Sequence, residues 1–335
     1  MFKYILKRLF ISIFVLLGVS LIIYTLVRMM PNDYLDYKFA SQLQTGAVKP
    51  EDVLAFKELY GIADKSFMGI VKGYFTWLGN LCRGELGVSF KYNADVSKVI
   101  MDNMWVSFAI ALVATILQFA IAIPLGVTSA THQYSKRDYA VTVFTMIGIS
   151  LPTYFFAAIL IKIFSVEFGW FPSNGLIDAS AVYPDNFAGW MAKLGDMLHH
   201  LVLPIFCTVI LSIGGLMRYT RTNTLEVLSA DYIRTARAKG LSEKKVIYKH
   251  AFRNTMIPLV TLLAGILPSL FGGMMITEEV FAINGIGRLA YNALSEGDLP
   301  FVMGYNMFLA VLTVIGTLFS DIMYSVVDPR VKLGK

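Results

Sequence analysis

The chain has 335 residues, of which 56% are hydrophobic and only 16% charged, and its mean hydropathy is +0.62. Soluble domains are ordinarily about 45–50% apolar and about 25% charged, so these figures exclude disorder, a disulfide-built secreted fold and most soluble enzymes. The formal charge of +6 would indicate a nucleic-acid partner only if it formed a patch on a soluble face, and its placement along the chain argues otherwise.

Six stretches, 9–27, 105–131, 139–161, 198–217, 255–277 and 299–320, contain no Asp, Glu, Lys or Arg. About 20 apolar residues rise far enough to cross about 30 Å of hydrocarbon, so each stretch predicts a membrane-spanning helix in an all-α membrane protein. Lys3, Lys7 and Arg8 precede the first stretch, as in a secretory leader. It runs on into Arg28-Met29-Met30-Pro31 without a small-residue cleavage site, and is expected to remain as an anchor. Charge alternates between the stretches: +3 at the N-terminus, 0 over 28–104, +1 over 132–138, −2 over 162–197, +6 over 218–254, −3 over 278–298, and +1 in the tail from Asp321. Basic loops stay on the inner side, so both termini and the 218–254 loop are expected in the cytoplasm. The positive charge is then a topology signal, and no nucleic acid is implied. Three regions follow: 1–27 as cytoplasmic segment and first span, 28–104 as extracellular loop, and 105–335 as a core of five spans containing the 218–254 loop.

The 28–104 loop is far longer than an ordinary connection. Lys49-Pro50-Glu51-Asp52-Val53 predicts a helix start, with Pro and acids in its first turn, and Gly61 predicts its stop. From Ser66 onward, Phe67, Ile70, Val71, Tyr74, Phe75 and Leu78 share one helical face, opposite Lys72, Thr76 and Asn80. Such a helix either lies on the membrane or bundle, or offers a platform to an external partner, and the two readings are compatible.

In the inner loop, Ser229-Ala230-Asp231 predicts a second helix start, and Tyr232 to Lys239 is rich in good helix formers. Gly240 takes the position after a helix that favours a left-handed backbone. Ser242 then caps a further helix running past His250 into the fifth span. Ala236 and Ala238 are small enough to admit another backbone at close range. Read by periodicity alone, the loop either docks a partner or only sets topology and attracts anionic lipid.

Several features have a plain and a sharper reading. Cys82 and Cys207 lack disulfide-framework or metal-ligand spacing and are expected to be packing residues. His199 and His200 point apart on a helix, which favours separate hydrogen-bonded roles over a shared metal. Pro124, Pro152, Pro204, Pro258 and Pro268 are tolerated kinks or hinges. Met274-Met275, after Gly272-Gly273, is packing or a flexible passage. Glu278 and Glu279 mark the outer membrane boundary or act in gating, and Gly285-Ile286-Gly287 is expected to be a turn. No catalytic Ser/His/Asp group, metal spacing or carboxylate pair is evident, and the spans carry no charged relay of the kind ion-coupled transporters need. No internal repeat of the kind common in secondary transporters is evident either.

The inner loop resembles the cytoplasmic signature of binding-protein-dependent ABC importer permeases: Glu-Ala-Ala, three residues, Gly, then about nine residues before an Ile-x-Leu-Pro segment. Here it reads Arg234-Thr235-Ala236, Arg237-Ala238-Lys239, Gly240, then nine residues to His250-Ala251-Phe252-Arg253. Arg234 replaces the acidic residue and the proline comes late, at Pro258, as in the peptide-permease branch. Further segments in matching order are Gly18-Val19-Ser20, Gly84-Glu85-Leu86-Gly87-Val88-Ser89-Phe90, Gly148-Ile149-Ser150-Leu151-Pro152 and Phe168-Gly169-Trp170-Phe171-Pro172. They continue with His200-Leu201-Val202-Leu203-Pro204, Gly285-Ile286-Gly287-Arg288-Leu289 and Asp328-Pro329-Arg330-Val331. Asn284 stands where many relatives have Pro. The chain thus resembles the first permease subunit of a dipeptide/oligopeptide importer over nearly its whole length.

The resemblance implies a type I ABC importer permease fold in a bacterial cell membrane, with a second homologous permease, two ATP-binding subunits and an external substrate-binding protein. Arg234, Thr235, Ala236, Arg237 and Gly240 would form the helix that docks on an ATPase. Ala236 and Gly240 would give close approach, and the arginines would meet acidic or carbonyl groups. The chain has no phosphate-binding loop, so no cofactor is expected on it, and ATP and Mg belong to the partners. Gln118, Ser150, Thr153, Tyr154 and Asn306 are candidates for lining a path.

Overall fold

A computed structural model of the chain describes residues 2–30, 34–59, 63, 64 and 66–327. Gly61, Pro31 and the Asp328–Val331 motif lie outside the described residues. The described residues are mostly helical, with an isolated bridge between Val88 and Asp95 and no strand among them. In chain order the helices are α1 (Phe2–Arg28), α2 (Tyr34–Gln44), α3 (Pro50–Leu59), α4 (Phe67–Cys82) and α5 (Val96–Thr131). There follow α6 (Lys136–Ser150), α7 (Thr153–Leu160), α8 (Phe187–Leu228), α9 (Asp231–Ala238) and α10 (Glu243–Lys245). The chain ends in α11 (Phe252–Val260), α12 (Leu263–Phe271), α13 (Met275–Val280), α14 (Ile286–Glu296) and α15 (Leu299–Val327). Helices α1, α5, α8 and α15 are long and apolar enough to cross a membrane, and two bent pairs bring the number to as many as six.

Two of the apolar stretches are bent pairs of helices. The 139–161 stretch turns through 103° between α6 and the segment that begins with α7. Leu151 and Pro152 are extended there (ψ 128° and 136°). Proline has no N–H and disfavours helical backbone in the residue before it, so the helix stops at Ser150. Pro124 and Pro204 lie inside α5 and α8, and Pro258 and Pro268 inside α11 and α12. The fifth stretch instead breaks at Thr261-Leu262 and again at Gly272-Gly273, where Gly273 has φ +72°.

Helices α5 and α8 form the centre, with α6 against α8. A Cβ on Gly126 of α5 would lie 2.8 Å from the Met217 carbonyl of α8, and one on Gly214 would lie 2.6 Å from the Thr145 carbonyl of α6. These small residues let backbones meet, which dispersion and close packing favour where lipid removes the hydrophobic drive between helices. On α1, Phe10, Phe14, Ile22 and Leu26 are exposed, as a lipid-facing surface requires.

Between α1 and α5, Ser66 caps α4 by accepting from the Gly69 N–H (3.1 Å). The predicted apolar face divides: Tyr74 is buried on α1, its hydroxyl 2.9 Å from that of Ser20, while Phe67 and Phe75 are exposed. α4 meets α1 through Tyr74 and Trp77, which sit against Tyr24, so only part of the stripe is covered. Cys207 is fully buried, but Cys82 is exposed at the end of α4 and is not a packing residue.

Candidate functional site

The most distinctive element outside the spans is the hairpin α9–Gly240–α10. The N-cap of α9 is Ala230 and not Ser229, which ends α8 with its hydroxyl bonded to the Glu226 carbonyl (2.7 Å). At the other end, Gly240 has φ +74°, its N–H bonds the Arg237 carbonyl (2.9 Å), and the Leu241 N–H bonds the Ala236 carbonyl (3.4 Å). This is a Schellman closure, which satisfies carbonyls the helix leaves open. A Cβ at Gly240 would meet nothing within 4 Å, so backbone conformation and not space requires glycine there. Ser242 occupies the N-cap of α10 without a side-chain cap bond; its carbonyl accepts from Lys245 and Val246.

All five sequence-predicted residues lie on this hairpin, but on two sides of it. Arg234, Thr235, Arg237 and Gly240 are exposed. Ala236 is buried with Ile233 against Val246 and Ala251, so its small side chain serves the hairpin's own core and not a surface for close approach. Two turns of amphipathic helix have only one inward stripe, and Ile233 and Ala236, three apart, occupy it. Arg237 is held by Glu243 (Nη2–Oε1 2.6 Å), whose carboxyl it keeps below the usual range. Arg234 lies 3.6 Å from Asp231 in a largely exposed pair.

Sequence reasoning missed the group that anchors the base of α8. Asp138, buried at the start of α6, accepts from the Arg221 Nε and Nη2 (both 3.0 Å), the Tyr134 N–H (2.9 Å) and the Ser129 hydroxyl. The Arg221 bonds, helped by those of Ser129 and Tyr134, hold this carboxyl well below the usual range against the effect of burial. Arg221 and Asp138 are 83 positions apart, so no local spacing signals them.

Two more carboxylates are buried, in the 275–298 segment. Glu278 is fully buried. It accepts from the Ser107 hydroxyl (2.7 Å) and the N–H groups of Met274 and Arg288 (both 2.9 Å). Gly273, Gly285 and Gly287 close around it, and a Cβ on Gly285 would lie 2.5 Å from its Oε2. Gly285 is the N-cap of α14, so Gly285-Ile286-Gly287 opens a helix and is not merely a turn. Glu279 pairs with Arg288 (3.1 Å), which also reaches Asn284 (2.9 Å). Asp298, also fully buried, accepts from the Ser89 hydroxyl and the Phe90, Lys91 and Phe301 N–H groups. His199 bonds the Trp170 carbonyl and His200 the Asp196 carbonyl, separately, as expected. Met274 and Met275 pack into buried clusters. Of the path candidates, Gln118 bonds the Ser212 carbonyl (3.1 Å) beside a cavity of about 460 Å³, Ser150, Thr153 and Tyr154 lie at the Pro152 bend, and Asn306 is on α15. Among the described residues no group of His, Cys, Asp and Glu could hold a metal ion.

The chain is a bundle of membrane-length helices with an exposed hairpin between two of them. Residues 122–333 match the family described as binding-protein-dependent transport system inner membrane component. The chain is 36% identical over 333 residues to the oligopeptide transport system permease protein AppB of Bacillus subtilis, covering 99% of this chain and 100% of the relative. It is 30% identical over 342 residues to the dipeptide transport system permease protein DppB of Alkalihalophilus pseudofirmus, covering 99% and 100%. A chain of the inward-facing MetNI methionine ABC transporter shares the fold with TM-score 0.53 and 18% identity, over 69% of this chain and 96% of that one. The chain therefore belongs to the binding-protein-dependent importer permeases and is a membrane-spanning permease subunit of that family.

Proposed function

We propose that this permease forms half of the translocation path of an ABC importer for peptides, from dipeptides to oligopeptides. A second homologous permease supplies the other half, two ATP-binding subunits hold ATP and Mg, and an external binding protein delivers cargo. Both termini and the 218–254 loop lie in the cytoplasm of a bacterial cell; 28–104 lies outside, and 105–335 is the permease core. The observation that carries the reading is the hairpin, whose exposed Arg234, Thr235 and Arg237 sit on a helix that Ile233 and Ala236 pack against Val246, Ala251 and the end of α8. Closure of the ATP-binding subunits would move such a rigid element and switch the bundle between two states. The peptide relatives support the cargo class.

The test is reconstitution with the second permease, the ATP-binding subunits and the binding protein, followed by mass spectrometry of a peptide library taken up by liposomes. Uptake that requires both ATP and the binding protein is expected. Stimulated ATP hydrolysis without peptide uptake would sink the peptide reading and direct the assay to nickel or a glycoside.

A further inference from the structure

Helix α4 meets α1 at a level inside the first apolar stretch. The Tyr74 hydroxyl reaches the Ser20 hydroxyl (2.9 Å) and the Leu17 carbonyl (3.5 Å). The rings of Tyr74 and Trp77 each sit 5.6 Å from that of Tyr24, and a Cβ on Gly73 would collide with the Tyr24 hydroxyl. Tyr24 and Ser20 stand three and seven residues inside the end of the uncharged 9–27 stretch, about 4.5 and 10 Å along α1 at about 1.5 Å per residue. Amphipathic helices that lie in a membrane interface bury their apolar face to a similar depth, about 5–10 Å. With 16 residues, or about 24 Å, and Lys72 among them, α4 is too short to cross about 30 Å of hydrocarbon.

The helix has three faces. At about 100° per residue, Phe67, Val71, Phe75 and Cys82 fall within about 80° of one another, with Met68 at the margin. Phe67, Met68 and Phe75 are 81%, 71% and 65% exposed, and Cys82 is exposed as well. Tyr74, which rests on α1, lies about 70° to one side of this stripe. Gly69, Thr76 and Asn80 lie about 150° from it. There they line a cavity of about 640 Å³ with Arg28, Phe90 and Met303. So many large apolar side chains bare on one stripe mark a contact surface. The Phe75 ring, 5.5 Å from that of Tyr74, brings the stripe up to α1, where Leu17 and Leu21 are exposed at the same level. Lipid that covers those α1 residues therefore meets the stripe of α4.

We propose that α4 is seated in the bilayer surface, with Phe67, Val71, Phe75 and Cys82 against lipid acyl chains and the cavity face turned to water. Lys72 borders the stripe, and its methylenes stay with hydrocarbon while its ammonium reaches the headgroups. The stripe is thus covered by lipid and not by a protein partner. The inference needs only the membrane placement of α1 and is independent of the cargo.

The test places spin labels on the complete transporter in phospholipid nanodiscs, in a Cys82→Ser background, since Cys207 is buried. Labels go at Phe67→Cys and Phe75→Cys on the stripe, at Thr76→Cys on the cavity face, and at Ile22→Cys on the exposed side of α1 as the lipid reference. Collision with oxygen, which partitions into hydrocarbon, is compared with collision with a water-soluble nickel chelate. The oxygen-to-nickel ratio is expected to be at least about fivefold higher at both stripe positions than at Thr76→Cys, and at Phe75→Cys to come within about threefold of Ile22→Cys. A ratio at Phe75→Cys equal to that at Thr76→Cys would put the stripe in water and overturn the proposal. Low collision with both reagents, or loss of assembly in either stripe variant, would also overturn it, because a protein would then cover the stripe.

Discussion

Asp138 and Arg221 illustrate how charge is placed where the bundle meets its loops. The carboxyl is buried and its pKa depressed, first by the Arg221 bonds. A depressed carboxyl contributes stability above its unfolded pKa of about 3.9 and loses it only as pH falls through the lower folded value, so the contribution stays flat from pH 8 to pH 5. Arg221→Met leaves the buried charge without its cation and should cost about 3 kcal/mol, the low end for a broken buried pair because Arg221 is 26% exposed. Without the guanidinium the carboxyl pKa rises, so the deficit should narrow as pH is lowered from 8 to 5, read as thermal unfolding of the purified complex. An equal deficit at both pH values would show that Ser129 and Tyr134, not Arg221, hold the charge. Glu278 solves the same problem with donors on three segments: the hydroxyl of Ser107 and the N–H groups of Met274 and Arg288.

At the scale of elements, the hairpin owes its shape to local chemistry and its orientation to packing. Gly240 ends α9 in a left-handed backbone with free space around it, so Gly240→Val is strained by conformation alone, at about 1–2 kcal/mol. That is too little to remove the protein from the membrane, but enough to loosen the Schellman turn and shift α9. The expected outcome is normal membrane abundance with lowered ATP-driven uptake; full uptake would show that the hairpin does not couple. Pro152 acts at the same scale, since its missing N–H turns one apolar stretch into two helices 103° apart.

Across the whole molecule, the 28–104 loop is tied to the last span by Asp298, which gathers Ser89, Phe90 and Lys91 from one segment and Phe301 from α15. Lys91 adds an ion pair with Glu296 (2.5 Å). Asp298→Ala removes the shared acceptor and leaves buried donors unpaired, at about 1–3 kcal/mol for each group left buried. Amide exchange over residues 84–95 should then quicken, while exchange in α9 and α10 stays as in the wild type. Unchanged exchange over 84–95 would show that apolar contacts around Val96 and Phe301, and not the carboxylate, hold the loop.

The amino-acid sequence by itself determined the helical membrane class, the six apolar stretches, the hairpin with its left-handed Gly240, and the family. Those properties depend on neighbouring residues: transfer into lipid sums along a stretch, and a cap is closed within one turn. Only the tertiary structure decided that the third stretch bends sharply, that Ala236 faces inward, that Cys82 is exposed and that Glu278 is buried. The same holds for the pairing of Asp138 with Arg221 and of Ser89 with Asp298, which join residues 83 and 209 positions apart. Which face of a helix is covered, and which carboxylate finds its donors, depends on partners that distant parts of the chain bring into contact.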